Sequence, residues 1–232
     1  MTKRQGEILA EIVRLYADSA EPVSSRELAN RFGLSSATIR AEMAALEDAG
    51  LIYQPHVSAG RVPTDAGYRQ YVNELSNVAA VSPRSIQTIS KRVDSLKDRT
   101  DGAIKIAAET LSEMTGNMAF ATLSDSVYFH GMSQLFSQPE FVDFNQVSQA
   151  ARFLDAMQGW LASADIDSMQ VYIGQENPIV RTSGLTMIVN RFRSPYSDRS
   201  YIGIVGPTRQ SYDKVMNLVD GTSKALQEAF KE

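Results

Sequence analysis

Apolar residues recur at helical spacing through the first fifty positions. Ile8, Ile12 and Leu15 form one stripe, widened by Leu9, Val13 and Tyr16, behind a Thr2-x-x-Gln5 capping box. This pattern predicts a helix from about Lys3 to Ala17. Glu21-Pro22-Val23 breaks it, and Ser24-x-x-Glu27 opens a second helix that buries Leu28 and Phe32 and ends at Gly33. Ser35 as N-cap and Gly50 as C′ bracket a third helix. Within it Ile39, Met43 and Leu46 fall at i, i+4 and i+7 and face inward. Ala37, Ala41 and Ala44 then point away, with Thr38 and Arg40 on the shoulders. So slim an outer face fits the groove of duplex DNA. An ordinary amphipathic helix explains the inward stripe equally well, and the helix alone does not separate the two readings.

Its neighbours shift the balance. Two short helices joined through Gly33 and Leu34 have the spacing of a helix-turn-helix. Leu51–Gln54 and Gly60–Pro63 read as two short strands around the loop Pro55-His56-Val57-Ser58-Ala59. A hairpin directly after a recognition helix is a wing, which places Arg61 for a phosphate or the minor groove, with His56, Ser58 and Gly60 as further candidate DNA contacts. The alternative for Arg61 is a solvated loop charge, and His56 reads as a loop hydrogen-bonding residue. Thr64 caps a further helix with Tyr68, Tyr71, Val72 and Leu75 on one face.

Residues 76–83 read as a linker. Ile86, Ile89, Val93, Leu96, Thr100, Ala103, Ala107, Thr110 and Met114 then keep 3–4 spacing, a heptad seam weakened at Thr100 and Gly102. It suits either a helix paired with a second subunit through Ile86, Ile89, Val93 and Leu96, or a helix lying on its own domain. Asp101-Gly102 could divide it in two. Strands follow at Met118–Leu123 and Val127–His130 around the turn Ser124-Asp125-Ser126, then at Met169–Gly174, Leu185–Arg191 and Ser200–Val205. A helix from Phe144 to Leu161 faces inward through Val147, Ala151, Leu154, Met157 (or Gln158) and Leu161, and Ser211 caps a last helix carrying Val215, Leu218, Val219, Leu226 and Phe230. The expected class is α+β: a mostly antiparallel sheet covered on one face. The expected divisions are 1–75, a DNA-binding domain; 76–116, linker and long helix; and 117–232, an α+β domain.

Composition narrows the chemistry. The 232 residues include no cysteine and two histidines, so thiolate metal sites and cysteine nucleophiles are excluded. No Gly-rich phosphate loop is present, and His130 lies in a strand-like apolar context that suits a structural role better than a catalytic triad. No enzymatic role, cofactor or metal is expected. No apolar run approaches a membrane span and no signal-peptide core precedes the first helix, so a cytoplasmic protein without membrane contact is expected. Net charge is −4, and residues 1–75 carry 8 Lys/Arg against 10 Asp/Glu. Binding to DNA must therefore come from the placement of a few arginines rather than from bulk charge.

The runs Leu34–Arg40, Gln54-Pro55-His56, Ser58–Thr64 and Gly67-Tyr68-Arg69 resemble the heat-inducible transcription repressor HrcA family. Further on, Val127-Tyr128 with Gly131, Ser133 and Leu135, Gln138–Phe141, Ile173–Asn177, and Ile204–Arg209 with Tyr212 are similar to its effector domain. The resemblance implies a winged helix-turn-helix followed by a GAF-like domain, here reduced in size. It implies repression of chaperone operons by a homodimer on an inverted-repeat (CIRCE-like) DNA operator, and a GroEL-type chaperonin as partner. Family members carry a long stretch with an inserted dimerisation domain where this chain has only Ser124–Ser126, which leaves the 86–114 seam as the replacement interface. On this reading Ser36, Thr38 and Arg40 offer hydrogen bonds beside the cap Ser35, and Ala37, Ala41 and Ala44 allow close approach. Arg26, Arg61 and Arg69 are candidate backbone contacts. Most members carry Asn at the position of Ala41. The alternative is a regulator of other genes, or a protein-interaction module whose C-terminal domain senses a ligand or partner.

Overall fold

Thr2 caps the first helix from both directions. Its hydroxyl accepts the Gln5 N–H at 3.2 Å and its own N–H donates to the Gln5 side chain at 2.8 Å. The helix so opened, α1, runs Lys3–Ser19. The computed structural model describes residues 1–75, 83–124, 126–181 and 184–231 of the chain. It divides into two units, Met1–Asn77 with Thr208–Tyr212, and Val78–Pro207 with Asp213–Glu232.

In the first unit Ser24 caps α2 (Ser25–Phe32), which stops at Gly33 with φ of 64°. Ser35 caps α3 (Ser36–Asp48) by accepting the Thr38 N–H at 3.1 Å. The end of α3 is a Schellman motif: Gly50 N–H donates to Glu47 O at 2.8 Å and Leu51 N–H to Leu46 O at 3.0 Å, with Gly50 at φ 72°. Ile8, Leu9, Ile12 and Val13 of α1 and Leu28 of α2 are buried, as are Ile39, Met43 and Leu46 of α3. Phe32, expected inside, is half-buried because α2 ends with it; Ala29 is buried instead. Strands β1 (Ile52–Tyr53) and β2 (Val62–Pro63) pair antiparallel, Ile52 opposite Pro63 and Tyr53 opposite Val62. Thr64 caps α4 (Asp65–Glu74) by accepting the Gly67 N–H at 3.0 Å, and its hydroxyl donates to Gly50 O at 2.7 Å.

The expected linker lies, except for Pro83, outside the described residues. The expected long helix is two: α5 (Pro83–Asp94) and α6 (Thr100–Thr115). The break has a local cause, since Leu96 and Arg99 close turns onto Val93 and Leu96 rather than extending the helix. The proposed subunit-facing seam is therefore not formed as a continuous exposed stripe. Ile89 and Val93 are fully buried, Ile86 lies so close to Gly221 that a methyl there would sit 2.1 Å from its Cδ1, and Leu96 is half-buried beside Gly102. These four side chains pack inside their own unit.

Five strands form one antiparallel sheet in the order β4-β3-β7-β6-β5. They are β3 (Met118–Leu123), β4 (Ser126–His130), β5 (Gln170–Ile173), β6 (Leu185–Ser194) and β7 (Ser197–Pro207). Leu123 lies opposite Ser126, so β4 begins one residue earlier than expected, and Asp125 of the expected turn lies outside the described residues. β6 and β7 reach further than their apolar runs, to Ser194 opposite Ser197 beyond a bulge.

One face carries Met118, Phe120, Met187, Val189, Tyr201 and Val205 against α8 (Phe144–Ser163). Of the expected α8 stripe Met157 and Leu161 are buried and Val147 and Leu154 pack against the core, but Ala151 is exposed, and Ala150 and Phe153 are buried instead. Turning Phe153 inward removes far more apolar surface from water than turning Ala151. The expected one-sided sheet is also corrected. Ala119, Ala121, Ile188, Ile202 and Ile204 are fully buried on the other face. There Tyr128 donates to Glu109 of α6 at 2.8 Å, and Ser223 of α9 (Tyr212–Ala229) donates to Arg191 O at 2.5 Å. Strands whose side chains are buried at every position, as 185–189 are with Thr186 included, need cover on both sides. Short elements at Met132–Phe136 (α7), Pro139–Phe141 and Gly174–Glu176 had no periodic signature. Among the described residues no helix is long and apolar enough to cross a membrane, and no cluster suits a metal ion.

Candidate nucleic-acid interface

The capped N-terminus of α3 sets the orientation of its outer face. Ser35 Oγ lies 2.8 Å from Thr38 Oγ1 besides capping its N–H, so both hydroxyls are tied to the helix start. Beyond them Ala37, Arg40, Ala41 and Ala44 are exposed, while Ser36, Thr38 and Glu42 are half-buried. Glu42 is engaged by Arg4 at 3.4 Å. From Ala37 to Ala44, every exposed side chain of α3 is an alanine or an arginine.

The hairpin is fixed at its root. Arg61 and Val23 exchange both backbone hydrogen bonds at 2.9 Å, adding a third short segment beside β2. Gly60 allows this approach, because a Cβ there would lie 2.5 Å from Pro22 O and 2.4 Å from Val23 O. A Cβ at Gly67 would lie 2.0 Å from Leu51 O, so α4 presses directly on the chain leaving α3. Ala59 N–H closes the tip onto His56 O at 3.0 Å, with Ser58 at φ 70°. His56 and Ser58 are exposed, and Val57 at the tip is 90% exposed. Between α3 and the hairpin lies a hollow of about 350 Å³ lined by Ser24, Ser25, Arg40, Met43, Gln54 and Ser58–Arg61. It brings Arg40 and the hairpin residues together and adds Ser24, Ser25 and Gln54, none of which the sequence marked as a candidate contact.

The charges are arranged less simply than the sequence suggests. Arg61 is held by Glu47, with Nε at 2.9 Å and Nη2 at 2.8 Å from the same carboxylate oxygen. Arg69 is half-buried on α4 and already has an interaction partner. Lys3, Arg4, Arg14 and Arg31 pair with Glu7, Glu42 and Glu11. Among the described residues of 1–75, Arg26 and Arg40 are the exposed cations with no ion pair.

The family model for the HrcA protein C-terminal domain matches residues 5–216. The heat-inducible transcription repressor HrcA of Cyanothece sp. is 24% identical over 356 aligned residues, covering 99% of this chain and 98% of that protein. An alignment so much longer than the chain leaves long gaps on this side. The repressor of the same name from Thermosynechococcus vestitus is 31% identical over 217 residues, 92% of this chain and 59% of the relative. That of Herpetosiphon aurantiacus is 41% identical over 122 residues, 53% of this chain but only 34% of the relative. A crystal structure of a hypothetical protein at 2.2 Å resolution shares the fold, with a TM-score of 0.84 at 18% identity over 99% of this chain and 98% of that one. With the family model matched from residue 5 to residue 216, the chain belongs to the HrcA family.

Proposed function

We propose that residues 1–75 form a winged helix-turn-helix in which α3 is the recognition helix and β1–β2 the wing. On this reading the second unit is the GAF-like effector domain, and the protein is a cytoplasmic repressor of heat-shock chaperone genes. Its operator is an inverted repeat of the CIRCE type, bound by a homodimer, with a GroEL-type chaperonin as a further partner. The relatives' names support the repressor role, and the observation that carries DNA binding is the outer face of α3. Alanines at 37, 41 and 44 let the helix backbone approach base edges and thymine methyls closely, and Arg40 reaches for a guanine edge or a phosphate. Large acidic side chains on that face would oppose both.

A duplex carrying the inverted repeat, titrated by fluorescence anisotropy at several salt concentrations, tests this reading. With Arg26 and Arg40 as the unpaired cations of each copy, a dimer should show a shallow log–log salt slope of about −3 to −4. Arg26→Ala should weaken specific and random duplexes alike. Arg40→Ala should weaken the specific duplex more, by roughly 1–3 kcal/mol of lost discrimination if it reads a base. Folded protein that shifts no duplex at low salt would overturn the assignment. Duplex binding insensitive to salt would contradict an interface anchored on phosphates by these arginines.

A further inference from the structure

The landmark run Ile204–Arg209 with Tyr212 takes no part in the surface proposed to meet DNA. β7 ends at Pro207, and the next five residues, Thr208–Tyr212, group with the N-terminal unit before the chain rejoins the other at Asp213. Arg209 Nη1 donates to Ala17 O at 3.0 Å. That carbonyl belongs to the last turn of α1, where carbonyls lack helical partners and a cation is favoured by the helix dipole. Tyr212 is fully buried, with its ring centroid 5.6 Å from that of Tyr68, and its hydroxyl donates to Thr208 O at 2.8 Å, closing the segment on itself. Tyr68 follows Gly67, which abuts Leu51 O, and lies one turn past Thr64, which holds Gly50 O. The same turn of α4 thus meets Tyr212 on one side and the end of α3 on the other.

We infer that Arg209 and Tyr212 are positioning residues of the DNA-binding unit, supplied by a distant part of the chain. They pin α1 and α4, and through the Gly67–Leu51 and Thr64–Gly50 contacts they set the wing against the recognition helix. The inference rests on the DNA-binding reading only for its functional consequence.

The test uses the full chain with Tyr212→Ala, Tyr212→Phe and Arg209→Ala. Two quantities are read: amide hydrogen exchange of segments 51–75 and 118–130, and affinity for the inverted-repeat duplex at several salt concentrations. Tyr212→Ala and Arg209→Ala should each speed exchange in 51–75 about tenfold and leave 118–130 unchanged. Affinity should fall about tenfold with an unaltered salt slope, because no phosphate contact is removed. Tyr212→Phe keeps the ring and should restore both. Unchanged exchange in 51–75 for Arg209→Ala and Tyr212→Ala overturns the inference. So does an affinity loss with a flatter salt slope, which would make Arg209 a DNA contact. If Tyr212→Ala loses protection everywhere, the half-buried Arg209 decides by the same criterion. If the unaltered protein binds no duplex, the DNA reading fails while the exchange measurement still judges the anchor.

Discussion

Arg61 and Glu47 join the root of the hairpin to the last turn of α3 through two contacts from one guanidinium to one carboxylate oxygen, at 2.9 and 2.8 Å. The arginine that the sequence offers as a phosphate contact is thus neutralised within the unit. Both side chains are partly exposed, so the pair itself stabilises the fold by no more than about 1 kcal/mol. Its larger effect is geometric. The backbone of Arg61 is bonded to Val23 and its side chain to Glu47, so one residue ties the hairpin to two other segments.

A salt titration distinguishes a clamp from a phosphate ligand. Arg61→Ala should weaken binding to the operator duplex while leaving the log–log salt slope unchanged. Glu47→Gln should free the guanidinium and steepen the slope by about 0.9 per copy that gains a phosphate contact. A slope that flattens in Arg61→Ala would show that Arg61 exchanges its carboxylate for a phosphate on binding.

Gly67 has no room for a side chain. The Leu51 carbonyl would lie 2.0 Å from an added Cβ, and backbone on both sides leaves no rotamer to relieve the clash. Gly67→Ala should destabilise the N-terminal unit by about 3 kcal/mol or more. Chemical denaturation followed by a probe in that unit checks this, and a loss below about 1 kcal/mol would show that α4 moves away at little cost.

Much of the first unit was legible because its signals are local. Caps at Thr2, Ser24, Ser35 and Thr64, stops at Gly33 and Gly50, and the stripe Ile39–Met43–Leu46 lie within a few residues of the features they decide. The Arg61–Glu47 pair was not legible, since it depends on the angle at which a hairpin returns across a helix fourteen positions earlier. The 86–114 pattern misled for a related reason. A heptad stripe shows that one face is buried but not what buries it, and Ile89 and Val93 find their cover inside the chain. Two-sided burial of the sheet was written in Met187-Ile188-Val189 and Tyr201-Ile202-Gly203-Ile204-Val205, which carry no polar alternation where a single-faced sheet would show one. The docking of Thr208–Tyr212 on α1 and α4 had no periodic signature at all.

Tyr128 gives the second unit a pH signature. Burial first, then the hydrogen bond to Glu109 and its negative charge, push the phenol up to about 12 from its ordinary 10.0, while the Lys105 ammonium sits 5.6 Å from the ring centroid. Between those two values the unfolded chain has lost this proton and the folded chain still holds it. Stability therefore falls as pH rises from about 10 to about 12, and the contribution is fully present below pH 10. Tyr128→Phe should remove that component from the alkaline unfolding profile. An identical profile for the variant would mean that other groups set it.

Ala41 is the position at which this chain should read DNA differently from most members of its family. It is exposed on the outer face of α3 one residue after Arg40, and its methyl offers an apolar contact but no hydrogen bond. An asparagine there can accept from adenine N6 and donate to N7 at once, a pairing worth roughly 1–3 kcal/mol against the wrong base. Ala41→Asn should leave the fold intact, because the site is open and the helix tolerates Asn at a cost of a few tenths of a kcal/mol. Selection of bound sequences from a randomised half-site should then show a new preference for adenine at one position, where the unaltered protein shows weak preference or favours a thymine methyl. The affinity for random duplex should stay the same, since no charge changes. Identical base preferences for the two proteins would mean that residue 41 faces no base, and that the operator is read by Arg40 and the wing.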